Sequence, residues 1–361
     1  MKSKIRFVSL IWVFSLVLVF QTFSFSLFAK SCATALNGIS IVSINVLNLL
    51  DPTPEGGKRL DFLPGYNQDV VRDKIARIKR IVTRDGTCLP DIACVMELNN
   101  ENMAHQLAAA LGYEHVQMTK SPDSRGIDVA LMYNTGSVLN RARFKEEIPY
   151  QADVFKQRPS RNLLLVDFDV NGKHFIVVVV HWPSMRNPIE MSMAAAAETR
   201  KAVLSQLAKF PDATVVVLGD FNSIPSKNDL TGRNPFDHEF QLGDGKGPKI
   251  INARQLADPK VLLTQPPGTY FYREEKSWNE LDRAGIVQGP DIVFDPSSYL
   301  VYAHPEFSKV EPNSKGWPTP TGYFFKWEGN KLKASGASDH FPVFVQFLVT
   351  GIVSQSPPSP K

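Results

Sequence analysis

Seven polar side chains draw attention in this chain of 361 residues because each lies where an apolar run stops: Asn45, Glu97, His181, Asp220, Asn222, Asp339 and His340. Carboxylates and amides offer hard oxygen donors of the kind that Mg²⁺ or Mn²⁺ accept. Imidazoles offer an acid, a base or an anion-binding cation near neutral pH. Together such groups are capable of metal binding or acid–base work. Singly, each has a plainer explanation. Asn45 suits a turn or bulge, Glu97 before Asn99-Asn100 suits a helix cap, and Asp220 and Asn222 suit a turn whose side chains bond their own backbone. His181 before Trp182-Pro183 suits a strand terminus. Their common placement is what matters, because a buried sheet fixes positions while adjoining loops admit substrate.

The elements that must place them are legible as alternating periods. The run Ile39 to Val46 alternates as a strand, and Val71, Ile75, Ile78 and Val82 fall at helical spacing among Arg72, Lys74, Arg77 and Lys79, which predicts an amphipathic helix. Ile92 to Glu97 and Ile127 to Tyr133 read as strands, with a helix from about Asn102 to Leu111 between them. Leu163 to Asp169 and His174 to Val180 flank Asn171-Gly172, a strong hairpin signal, and the second run is apolar throughout, as in a strand buried on both faces. A helix after Pro188 runs to about Lys209, and Ala213 to Leu218 is a second buried strand. Ser223 to Pro267 is loop-heavy, with later strands near Tyr270, at Asp291 to Phe294 and from Phe341 to Leu348. Without internal repeats, this order predicts layered α/β or α+β architecture in one domain, residues 32–350, followed by a disordered tail, residues 351–361.

Composition narrows the function. Apolar residues make up 43% and charged residues 21%, as in a soluble globular protein. Lys and Arg number 40 against 36 Asp and Glu. Lys2, Lys4, Arg6 and Lys30 all lie in the first 31 residues, which hold no acid, so the remainder is balanced. Bulk positive charge is therefore not the means by which the chain would bind a polyanion. A basic start, the apolar run Val8 to Phe20 and small residues around Ala29 and Ser31 make residues 1–31 a signal peptide. Export to the periplasm or secretion follows, or membrane anchoring if the leader stays uncleaved. The cysteines, Cys32, Cys88 and Cys94, form no Cys-x-x-Cys, which leaves a zinc site unsupported. Two readings stand for them: Cys88 paired with Cys94, or Cys94 as a buried free thiol.

The motifs Ser43-Ile44-Asn45-Val46-Leu47, Val95-Met96-Glu97, Gly126-Ile127-Asp128-Val129-Ala130-Leu131, Val180-His181-Trp182-Pro183-Ser184, Leu218-Gly219-Asp220-Phe221-Asn222-Ser223, Trp278-Asn279-Glu280-Leu281-Asp282 and Ser338-Asp339-His340-Phe341-Pro342-Val343 resemble, in this order, those of the endonuclease/exonuclease/phosphatase superfamily. The resemblance spans roughly residues 39 to 349. It implies a four-layer α/β sandwich, two mixed β-sheets packed face to face with helices outside. It also implies Glu97 as principal ligand of Mg²⁺ or Mn²⁺, with Asn45 and Asp339 assisting. Asp220 would orient or deprotonate the attacking water, Asn222 would fix phosphate or nucleophile, and His340, held by Asp282 or by its rival Asp291, would act with His181 on phosphate and protons. Asp128 is a candidate partner of His181, and Arg125, Arg158 and Arg161 are candidate phosphate contacts.

The expected function is metal-dependent phosphodiester hydrolysis by an exported nuclease acting on DNA or RNA. The alternatives are a sphingomyelinase-like lipid phosphodiesterase, a phosphomonoesterase and an inert binding or toxin-like module. The lipid alternative draws on the aromatic segment Trp317 to Trp327, which reads either as a contact to a lipid surface or as a hairpin with its rings on the core. No protein partner is indicated, and a monomer is expected.

Overall fold

Two β-sheets meet face to face at the centre of the computed structural model, which describes residues 32, 37–53, 64–136, 138–245 and 247–350. The expected leader and the proline-rich tail lie outside the described residues. Among the described residues no helix is long and apolar enough to cross a membrane.

The first sheet is built around β1 (Gly38–Leu49) and β2 (Ile92–Leu98), which run parallel. β3 (His115–Met118) and β4 (Asp128–Tyr133) extend it beyond β2. The strand Val343–Val349 flanks β1 on the other side, followed by Ile292–Phe294. The second sheet runs from β5 (Leu139–Ile148) through β6 (Leu163–Val170), β7 (Lys173–His181) and β8 (Thr214–Asp220) to strands Asp282–Val287 and Ile251–Asn252. β7 and β8 are parallel and the other pairs antiparallel, so both sheets are mixed.

Alternation along the strands assigns the layers. In β7, Phe175, Val177 and Val179 join Ile39, Ile41, Cys94 and Met96 of the first sheet in a core between the sheets. Ile176, Val178 and Val180 face the opposite way, toward α4 (Ile189–Lys209). In β1, Val42, Ile44 and Val46 face α1 (Gln68–Val82) and α2 (Glu101–Leu111). These layers form the four-layer sandwich implied by the resemblance. Asn171 and Gly172 join β6 to β7 with φ of +53° and +84°, the paired left-handed geometry that a tight hairpin needs.

The structure decides two pairs of alternatives, in favour of the buried free thiol and of the aromatic hairpin, and corrects one expectation, at Lys74. Cys88 pairs with Cys32 and not with Cys94, which is a free thiol buried between the sheets. Cys94 points into that core from the middle of β2, so it has no route to a loop partner. Lys74, expected on the polar face of α1, is buried, because it falls on the stripe of Val71, Ile75 and Ile78. The aromatic segment forms a hairpin, Phe324–Glu328 with Lys331–Ser335. Phe325 and Trp327 pack on the core under α1, while Phe324 is 67% exposed, so a single ring faces outward.

Candidate active site

The strand ends and the loops that follow them carry the candidate residues to one edge of the sandwich. Asn45 and Glu97 come from the C-terminal parts of β1 and β2, His181 and Asp220 from the ends of β7 and β8, where they are register partners. Asp282 opens its strand directly opposite Asp220. Asp339 and His340 immediately precede the strand Val343–Val349. Glu97, His181, Asp220, Asn222, Asp339 and His340 line one cleft of about 330 Å³.

Local chemistry explains why the motifs read as they do. Gly219 lies so close to β7 that a Cβ would fall 1.9 Å from the Val180 carbonyl oxygen, so glycine is obligatory there. Trp182 and Phe221 bury their rings edge to face with centroids 4.8 Å apart, and Phe236 and Phe240 complete the cluster. These rings anchor the loop behind His181 and the turn between Asp220 and Asn222. Asn222, at φ +45°, gives its backbone N–H to Asp220 Oδ1 at 2.9 Å and its amide to the Trp182 carbonyl at 3.1 Å. Glu97 is also left-handed, φ +71°, where the β1 and β2 registers shift. Non-glycine residues at positive φ concentrate where function over-determines the backbone. Ser338 donates to the Asn45 carbonyl at 2.6 Å and accepts from His340 N at 3.2 Å, tying the Asp339 loop to β1.

Asn45 Nδ2 lies 3.3 Å from both Glu97 Oε1 and Asp220 Oδ2, and its Oδ1 accepts from Leu47 N at 2.9 Å. Glu97 Oε2 accepts from Asn48 N at 2.9 Å. His181 Nε2 stands 3.8 Å from Glu97 and 3.7 Å from Asp220, while its buried Nδ1 has no partner among the described residues. His340 Nδ1 and Asp282 Oδ2 are 2.7 Å apart, so Asp282 is the partner and the rival Asp291 is not. Asp291 instead pairs with Lys173, 2.9 Å away.

The two histidines are tuned in opposite directions. Burial, with Arg161, Arg125 and His340 adding to it, pushes His181 well below the usual imidazole range, so it is neutral at physiological pH. Burial also disfavours charge on His340, but Asp282, Asp220 and Asp339 outweigh it and hold the ring well above that range, as an imidazolium. Burial raises Asp220 to about 6, with Asp282 and Glu97 adding to it against His340. Asp339 is raised by burial first as well.

A hard cation fits this donor set. Carboxylate oxygens crowd a buried cleft, and Asp339 Oδ1 is buried with no hydrogen-bond partner among the described residues. Among the described residues no three His, Cys, Asp or Glu side chains form a ready-made ligand cluster. Mg²⁺ and Mn²⁺ need only one or two carboxylates and keep several waters. Asn45 presents its NH₂ to the carboxylates, so a ligand role for its oxygen requires the amide to turn over.

The other candidates divide. Arg125 lines the cleft. Arg161 is buried and spent on the Trp182 carbonyl at 2.6 Å and Asp123 at 3.1 Å, which braces the His181 loop and leaves it out of reach of phosphate. Arg158 is exposed where α3 (Asp153–Gln157) ends, outside the cleft. Asp128 accepts from Thr119 at 2.7 Å and from Ser121 N at 2.9 Å, so it caps a loop instead of orienting His181. Sequence reasoning missed Arg186, Lys227, Tyr270 and Tyr272, which also line the cleft. Arg186 lies just past the His181 motif and was within its reach. The tyrosines sit on a short hairpin, Tyr270–Tyr272 with Ser277–Asn279, whose fold over the site no local signal announces.

A family model described as Endonuclease/Exonuclease/phosphatase family matches residues 40–348. The chain belongs to that family. Its structure is similar to an endonuclease/exonuclease/phosphatase family protein from Bacteroides thetaiotaomicron, at 14% identity and TM-score 0.54, covering 86% of this chain and 98% of the other. It is similar to the human Nocturnin catalytic domain with bound sulfate, at 15% identity and TM-score 0.54, covering 87% and 95%. It is also similar to the mannosyl-6-phosphatase Bt3783 of Bacteroides thetaiotaomicron VPI-5482, at 13% identity and TM-score 0.51, covering 86% and 99%. At these identities the likeness shows the fold. No curated protein sequence matches the chain. The family is one of phosphoester hydrolases.

Proposed function

We propose that this chain is an exported, divalent-metal-dependent phosphodiesterase that cleaves nucleic acid. The observation that carries the reading is one cleft in which Glu97, His181, Asp220, Asp339 and His340 face Arg125, Arg186 and Lys227 beside Tyr270 and Tyr272. Cations and aromatic rings around a hydrolytic centre suit a substrate that alternates phosphates with flat bases. The tie between Cys32 and Cys88 favours an oxidising compartment, in keeping with the expected leader.

Mg²⁺ or Mn²⁺ held by Glu97 and Asp339, with Asn45 once its amide turns over, would offset charge on the phosphoryl oxygens. Asp220, ionised above about pH 6, accepts a proton from the attacking water. His340 in its charged form, fixed by Asp282, faces the phosphate and can return a proton to the leaving oxygen. Neutral His181 lies between Glu97 and Asp220 and keeps that side of the cleft free of a competing cation. Asn222 is pinned by Trp182, giving the phosphate a fixed polar wall.

The test is a panel of plasmid DNA, RNA, sphingomyelin, an aryl phosphodiester and an aryl phosphomonoester, each with metal and with chelator. Nucleic acid is expected to be cut only with metal, and Glu97→Gln to lose at least about 100-fold. Intact nucleic acid beside a cleaved monoester or lipid would overturn the substrate assignment. A panel wholly untouched in the presence of metal would overturn the enzymatic one.

A further inference from the structure

Lys74 is 2% exposed on α1, and its ammonium is directed at backbone: it donates to the carbonyl of Leu47 and, at 3.2 Å, to that of Asn48. Those two residues form a bulge-like turn within the last part of β1, where its register on β2 shifts between Asn45 and Leu49, and both are left-handed, with φ of +53° and +55°. Consecutive non-glycine residues in that region are unfavourable and persist only where surrounding contacts impose them. From the same turn two backbone N–H groups reach the site: Leu47 N donates to Asn45 Oδ1 and Asn48 N to Glu97 Oε2, each at 2.9 Å. Tyr323 lies behind the ammonium, its ring centroid 5.2 Å from Nζ, and its hydroxyl is anchored on Val70 and Asp73 of α1. A buried lysine is costly unless its donors are satisfied, and a core position with no further role would be filled at less cost by methionine or leucine.

We propose that Lys74 is a positioning residue for the cation site: by pinning the Leu47–Asn48 turn it keeps Asn48 N on Glu97 Oε2 and so sets the carboxylate that receives a divalent ion. The inference rests on the metal-dependent reading of the cleft. Two effects of opposite sign compete here. The ammonium repels a nearby cation, while the turn it holds orients the Glu97 carboxylate. Groups behind metal ligands ordinarily contribute ten- to a hundredfold to affinity through orientation. Its hydrogen bonds end on the carbonyls of that turn, so we take orientation to be the larger effect.

The full chain, Lys74→Met, Lys74→Arg and Glu97→Gln are compared for binding of Mg²⁺ and of Mn²⁺ alone, without substrate, by calorimetry and by the metal-induced rise in thermal midpoint. Lys74→Met is expected to weaken binding about ten- to a hundredfold, with its circular dichroism and its midpoint in chelator close to those of the unaltered chain. Lys74→Arg, still a donor to both carbonyls, is expected to recover part of that loss. Unchanged affinity in Lys74→Met overturns the proposal, and so does tighter binding, which would make repulsion the larger effect. If Lys74→Met does not fold, Lys74→Gln is measured in its place, and affinity within about twofold of the unaltered chain overturns the proposal. An unaltered chain that binds neither metal and cleaves no phosphoester removes the metal-dependent reading and this inference together. An unaltered chain that binds metal, beside a Lys74→Met that binds it equally, removes this inference alone.

Discussion

Among the described residues two aspartate–histidine pairs in direct hydrogen-bond contact involve the second sheet near its opposite ends, and their immediate geometry is the same. His340 Nδ1 and Asp282 Oδ2 are 2.7 Å apart at the catalytic edge, as are His174 Nδ1 and Asp167 Oδ2 near the start of β7. The surroundings differ. His340 faces Asp220 and Asp339 across a cleft and lies 5.1 Å from the Tyr270 ring, whereas His174 is stacked 3.8 Å from Phe210 on the outer side of the sheet. Around Asp167 the neighbouring charges are those of Arg143 and Asp169. A carboxylate beside an imidazole is thus as serviceable in packing as in catalysis. It becomes a site only where further acids, an open volume and a path for substrate converge on it.

The widest separation between the pairs is expected in rate. His340→Ala should lower kcat/KM on the preferred phosphoester by at least about 100-fold, while His174→Ala should leave it within about twofold. Steady-state kinetics of the two variants at saturating metal decide the matter. Comparable losses in both would erase the distinction and move the active edge, or part of it, to the far end of the sheet.

Asp220 sharpens the comparison, because it supplies a proton acceptor beside His340 that the His174 pair lacks. Burial raises its carboxyl to about 6, so log kcat/KM should fall as pH drops through about 6, where the acceptor becomes protonated. For stability the sign is opposite. A carboxyl raised above its unfolded value binds the extra proton in the folded state, so the fold loses stability as pH rises from the unfolded value through about 6. At neutral pH the ionised group is therefore a cost. Asp220→Asn should abolish turnover yet stabilise the fold by about 1–2 kcal/mol at neutral pH, seen in urea unfolding. A variant both inactive and less stable would mean that Asp220 holds the strand ends together more than it serves the chemistry.

That contrast also marks what could be read from the chain. The pair in the cleft was legible because its histidine stands in Ser338-Asp339-His340-Phe341-Pro342-Val343 and its aspartate in the Leu281-Asp282 element. The inter-sheet core was legible too, since β7 is apolar on both faces. β5 was not, because its sequence, Leu139 to Ile148, carries charges on both faces, as an edge strand can, and so lacks a clean period of two. The strand Asp282–Val287 was hidden by Gly285, which packs against Phe240 where a side chain would not fit. Arg161 and Asp128 have the right residue types, but local partners absorb them: a carbonyl and Asp123 for one, Thr119 and Ser121 for the other. Spacing cannot report who has already claimed a side chain. The pairing of Cys32 with Cys88 was not legible for a similar reason, since it closes over 56 residues and leaves no local pattern.

The smallest effect is expected at Asp167, where the comparison can be tested from its quiet side. Its Oδ1 is buried without a partner and its Oδ2 is taken by His174. Burial raises this carboxyl, with His174 pulling the other way, so its ionised form costs the fold some stability above the raised value and the cost fades as pH falls through it. Asp167→Asn removes that cost, but it weakens the bond to His174 and leaves an amide hydrogen without an acceptor, a penalty of about 1–3 kcal/mol. The two terms oppose each other, and the net change in unfolding free energy should stay below about 1 kcal/mol, with kcat/KM unaltered. Urea unfolding at neutral pH and the phosphoester assay read both quantities on one preparation. A loss above about 3 kcal/mol would exceed what an uncompensated amide can cost and would make the outer pair a keystone of the sheet. A loss of activity without one of stability would tie it to the cleft at the other end of β7.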